Sequence, residues 1–279
     1  MGAERITRRR PHAIAWVRLA AFLAFPLVGG AQQPRSEARR LPSDAEVHQL
    51  LQSMRVANAP ALAPLVNALL SDTSAHMRPA PRRQASPADS ARAAATLAVI
   101  RASLARYGDV AAAERDGYVR FLPWLPGQAI VHYNHLPNAI AANRRMDATR
   151  PTSLLYREEA PGRLRLVGVM YTAPASATPD ELDARLPLGV AHWHTHVNFC
   201  APDGDPASLA RQTWDGPTAA RWLAISTEAE CRAAGGVFVP QLFGWMVHVN
   251  AFEGETLEAV WGGHGRDAMG MHPAGHRVP

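Results

Sequence analysis

The pattern of apolar residues changes character at Tyr118, and that change limits the folds open to this chain. Before it, apolar positions recur at helical spacing. Ser43-Asp-Ala-Glu46 forms a capping box ahead of Val47, Leu50, Leu51 and Met54, which predicts a helix over about 44–56. Ala61–Leu70 reads as a second short helix. Ser86-Pro87 supplies an N-cap and a proline at the first helical position, with Leu97, Ile100 and Leu104 on one face of a helix to about Arg106. Asp109 to Asp116 adds another short helix, ended by Gly117. After Tyr118 come short apolar runs separated by proline and glycine: Ala129–Tyr133, Ser153–Tyr156, Leu164–Tyr171, Leu188–Val197, Val237–Val239, Trp245–Phe252 and Leu257–Trp261. Helices followed by strands, without regular alternation, predict an α+β chain whose β-rich part is an antiparallel sandwich or small barrel.

The 279 residues divide on the same reading into five stretches. Residues 1–31 form an export signal: arginines up to Arg18, an apolar run Leu19–Val28 too short to anchor in a bilayer, then the small residues Gly29, Gly30 and Ala31. Residues 32–86 are linker and short helices, 87–117 a helical segment packing on the core, and 118–262 a β-rich metal-binding domain. Residues 263–279 are a flexible tail carrying His264, His272 and His276. The net charge of +5 sits mostly in the leader, where Arg5, Arg8, Arg9, Arg10 and Arg18 face the single acid Glu4. The remainder is close to neutral, so a basic footprint for DNA or RNA is absent. P-loop, dinucleotide, GxSxG and HExxH patterns are absent too, which disfavours nucleotide chemistry and serine-type acyl transfer.

Ala191-His-Trp-His-Thr-His196 carries the chemistry. On a strand His192, His194 and His196 project from one side, with Trp193 and Thr195 on the other. Neutral imidazole is a ligand for zinc, copper, iron and nickel alike. Residues i and i+4 of a strand are about 13.6 Å apart, so all three on one ion is the harder arrangement. Two of them are expected to act with His132, in Val131-His-Tyr-Asn134, and His248, in Trp245-Met-Val-His-Val-Asn250, each on a further strand. His135 is a weaker candidate, and His12, His48 and His76 read as surface or hydrogen-bonded core residues. Glu158 follows a strand and is a candidate fourth ligand, outer partner or general base, with a solvated carboxylate as the alternative. Tyr133, Tyr156 and Tyr171 read as sheet-packing residues. Cys200 and Cys231 are expected to pair in an oxidising compartment; the competing reading makes Cys200 a metal ligand four residues after His196.

At Asp116-Gly-Tyr118, Val131-His-Tyr-Asn134, Arg150–Tyr156 and Arg163–Tyr171 the chain resembles a loose group of exported bacterial proteins, over about residues 107–250. The resemblance implies a histidine in the first strand and another near the last, matching His132 and His248, and brings no activity with it. A second resemblance, in ligand geometry alone, is to cupins, which offer H-x-H on one strand and a later histidine; here these are His192, His194 and His248, with no glutamate at the cupin spacing. Carbonic-anhydrase-like proteins use a similar H-x-H and distant histidine for zinc, and resemble this chain in nothing else. The expectation is an exported, periplasmic or secreted protein binding one divalent transition metal (Zn, Cu, Fe or Ni), without nucleic acid and without a stable membrane anchor once its leader is cleaved. The alternatives are a cupin-like metalloenzyme acting on a small-molecule substrate, as an oxygenase, hydrolase or lyase, and a structural protein whose histidines line a groove.

Overall fold

In the computed structural model, residues 43–69 and 74–262 are described. They belong to one unit, Leu41–Pro279. The leader at 1–31, the linker at 32–42 and the histidine tail at 263–279 lie outside the described residues. In chain order the elements are α1 (Asp44–Ser53), β1 (Arg55–Ala57), α2 (Ala63–Leu69), β2 (Met77–Pro79), α3 (Pro87–Leu104), α4 (Val110–Arg115), β3 (Val119–Arg120), β4 (Val131–Asn134), α5 (Leu136–Ala142) and β5 (Ser153–Ala160). There follow β6 (Arg163–Ala173), α6 (Pro179–Arg185), β7 (His194–Pro202), α7 (Pro206–Arg211), β8 (Thr213–Asp215), α8 (Gly216–Ala224), α9 (Glu228–Ala233), β9 (Gly236–Val249) and α10 (Leu257–Trp261).

The fold is α+β. Seven strands form one antiparallel sheet in the order β2-β7-β9-β6-β5-β4-β3, and β1 and β8 form a separate parallel pair. The large sheet ends at β2 and β3 and does not close, which rules out the barrel.

Local chemistry fixes the helix starts. Ser43 and Glu46 satisfy each other's backbone N–H groups at α1, Ser86 and Asp89 do so at α3, and Thr178 and Glu181 at α6. Helix α3 turns Ala93, Leu97, Ile100 and Leu104 onto one face of the sheet. There they meet Val131, Tyr133, Leu154, Tyr156, Val169, Tyr171, Val247 and Val249, the alternate residues of four strands. The tyrosine rings pack as expected, and the Tyr156 and Tyr171 hydroxyls donate to the Tyr107 and Ala148 carbonyls. Arg101 fastens α3 to the turn after β9 by donating to the carbonyls of Ala251 and Gly254.

Two apolar runs depart from the strand reading. Leu188–Val197 becomes strand only at His194: the amides of Val190 and Ala191 both donate to the Pro187 carbonyl, so the chain turns before it extends. Leu257–Trp261 is helix α10, capped by the Thr256 hydroxyl, which accepts from the Ala259 amide. A five-residue apolar run does not distinguish the two states by periodicity; the cap decides it. The run Val237–Val239 and the first part of the second run, Trp245–Val249, join into the single long strand β9, and Ala251–Phe252 lie in the turn that follows.

Cys200 on β7 and Cys231 on α9 form a disulfide, their Cα atoms 5.5 Å apart, so the reading of Cys200 as a ligand is set aside. The bond closes a sequence separation of 31 residues. On the chain-entropy account its reduction lowers stability by roughly 3–4 kcal/mol. Urea unfolding midpoints with and without reductant test this, and coincident midpoints would contradict it.

Candidate metal centre

Side chains on the sheet face opposite α3 point away from the main core. Here His132 on β4, His248 on β9, and His194 and His196 on β7 come together. The Nε2 atoms of His132 and His248 are 3.2 Å apart, although β5 and β6 lie between their strands. The His194 ring stacks on His248 with centroids 5.1 Å apart, and the His194 and His196 rings are 5.6 Å apart and nearly perpendicular. His194 and His248 are 4% and 3% exposed, while His132 and His196 keep part of their surface in solvent.

Irregularities in the strands help this convergence. His194 is opposite Met246 while His196 is opposite Leu242, so a bulge in β9 separates the two pairings. Bulges re-aim neighbouring side chains. Phe243 in that bulge has a positive φ of 62°. At Gly244 a side chain is excluded, because an added Cβ would stand 2.0 Å from the Ala173 carbonyl oxygen.

Burial favours the neutral imidazole at His132 and His196. Burial pushes His132 down to about 4, against a hydrogen bond to the Ile130 backbone that favours the charged form. His132 Nε2 faces His248, and a backbone carbonyl on the ring's other nitrogen would fix which nitrogen carries the proton. Burial also pushes His196 down to about 4, with the neighbouring His132 adding to the effect and the His76 backbone opposing it. Among the described residues, His196 Nδ1 is buried with no hydrogen-bond partner. For the metal-free protein the consequence has a definite sign. Folded values near 4 lie below the ordinary 6.5, so the unfolded chain binds more protons between them. Stability is therefore complete above about pH 6.5 and falls as the pH drops toward 4, by roughly 1–2 kcal/mol per histidine at pH 5. Urea unfolding at pH 7.5 and pH 5 measures this; equal stabilities would contradict it.

Other sequence candidates are placed elsewhere. His192 precedes β7, its amide donating to the Trp261 carbonyl; burial and Arg82 lower its pKa against Glu258. The shared-face reading holds for His194 and His196 but fails for His192, because the strand starts two residues later. Glu158 is exposed near the far end of β5, and its carboxylate accepts from the Gly162 amide in the hairpin turn. His135 is the N-cap of α5, its Nδ1 accepting from the Asn138 amide at 3.1 Å.

Two histidines read as ordinary border the cluster. His76 is buried beside His196 with Nδ1 3.3 Å from the Val197 carbonyl, and His48 on α1 lies 3.2 Å from the side-chain amide of Asn134, two residues after His132. Asp44, the first residue of α1, is hydrogen-bonded to the Phe243 backbone. Helix α1 thus touches both β4 and β9 on the histidine side, a tertiary placement that sequence spacing does not carry.

Chemically, the set offers imidazole nitrogen donors. Two nitrogens at 2.0–2.1 Å from one tetrahedral zinc are about 3.3 Å apart, close to the His132–His248 spacing, which also suits an N–H···N hydrogen bond. Among the described residues no group of three or more His, Cys, Asp or Glu side chains has the spacing of a full ligand set. No family model, curated protein or solved structure matches the chain.

Proposed function

We propose that the protein binds one transition-metal ion through His132 and His248, completed by His194 and His196. The observation that carries this reading is the 3.2 Å approach of two imidazole nitrogens from strands that are not neighbours. The buried His196 Nδ1 without a partner supports it, since a polar atom in that position costs about 1–3 kcal/mol unless something binds it. So does the pattern of outer contacts: backbone groups at Ile130 and His76 hold His132 and His196. His192 and Glu158 are left out of the ligand set. The cluster also offers no general base from Glu158, so the binding reading stands ahead of a metalloenzyme.

Export belongs to the same proposal. It rests on the basic and apolar leader in residues 1–31, and the Cys200–Cys231 disulfide suits an oxidising compartment. Among the described residues no helix is long and apolar enough to cross a membrane.

Elemental analysis of the untagged protein purified from the periplasm tests the reading. The expected result is about one transition metal per chain, lost in His194→Ala and retained in His76→Ala. Absence of metal even after reconstitution, or its retention in His194→Ala, would overturn the site.

A further inference from the structure

The sheet register places a methionine directly opposite three of the four histidines: Met77 of β2 opposite His196, Met170 of β6 opposite His248, and Met246 of β9 opposite His194. Directly opposed residues of an antiparallel pair share a face, with Cβ atoms about 4.5–5.5 Å apart. The thioethers are therefore on the histidine face, one side-chain width from the imidazoles. All three are buried, at 8%, 8% and 5% exposure. Met170 and Met246 also contact Leu155 and Val167, the small apolar cluster of that face.

From this juxtaposition we infer that the site is built for copper and holds it in the cuprous state, with thioether sulfur beside imidazole nitrogen. The inference rests on the proposed metal-binding role and names the ion. Thioether is a soft donor that selects Cu(I), whereas zinc, nickel and ferrous iron gain little from it over imidazole. Among the described residues, the groups that shift His132 and His196 are histidines and backbone, not carboxylates. Methionine has three rotatable bonds, so its sulfur reaches a neighbouring ion without movement of the strand. Placement on three different strands, each time beside a histidine, distinguishes these residues from methionines that only fill core gaps.

The test uses the full exported chain with its disulfide intact and ascorbate as the reductant for copper. Cu(I) affinity is measured anaerobically by competition with a chromogenic cuprous chelator, and Zn(II) affinity by competition with a zinc indicator. Both are measured for wild type and for a variant combining Met77→Leu, Met170→Leu and Met246→Leu, a substitution that keeps volume and apolarity. The expected result is Cu(I) binding weakened at least about tenfold in the variant with Zn(II) affinity unchanged, and a sulfur shell in the X-ray absorption of wild-type Cu(I) protein that the variant lacks. Met170→Leu alone, with a smaller loss, serves if the triple variant does not fold. Equal Cu(I) affinity in wild type and variant, or no copper–sulfur scattering, would overturn the copper assignment. Histidine-dependent zinc binding would then still leave the metal site standing. Failure of wild type to bind either ion would remove both.

Discussion

Alanine at position 132 is expected to lower affinity for a transition metal by at least about 100-fold, while alanine at position 135 leaves it unchanged. Losing an outer partner of a metal ligand already costs about 10–100-fold, and a direct ligand costs more. The contrast is sharp because the two residues are neighbours in sequence with different work. His132 aims Nε2 at His248, and His135 aims Nδ1 at the Asn138 amide to start α5. His135→Ala should instead reduce stability by about 1 kcal/mol, the usual cost of losing an N-cap. Competition titration and urea unfolding of the two variants measure both effects. Equal metal affinity in the two would remove His132 from the site.

The largest stability effect is expected at Trp193. Its side chain is 1% exposed and packs in the main core on the α3 side of the sheet, and the indole N–H donates to the Leu186 carbonyl. Trp193→Ala removes that volume and leaves a cavity, at a cost of about 3–5 kcal/mol. Urea unfolding monitored by circular dichroism reads the loss. A change below about 1 kcal/mol would mean that Trp193 is not part of the packed core.

Trp193 and His194 also show how far the sequence could be read. Period-two alternation of His194, Thr195 and His196 identified the histidine face because that stretch is truly extended. The same reasoning failed for His192, because the apolar run beginning at Leu188 hid a turn anchored on the Pro187 carbonyl. His132 and His248 were legible as histidines on short strands. Their meeting depends on strand order and on the register shift between β5 and β6, neither of which leaves a local signal. The caps of α1 and α3 could be read from four residues each, since capping is a local exchange of hydrogen bonds. Helices α5 to α9 were not foreseen: each is short, and several begin at a proline within stretches that read as loops. The methionines escaped notice for a further reason. Nothing in the sequence near Met77, Met170 or Met246 indicates which histidine stands across from it, and register between distant strands is a property of the whole sheet.

Anomalous diffraction from crystals of the full chain, loaded with one equivalent of copper or zinc, tests the central claim most directly. The account predicts one strong peak on the sheet face opposite α3, about 2.0–2.1 Å from the ring nitrogens of His132 and His248. Peaks confined to His264, His272 and His276, with none on the histidine face, would contradict it.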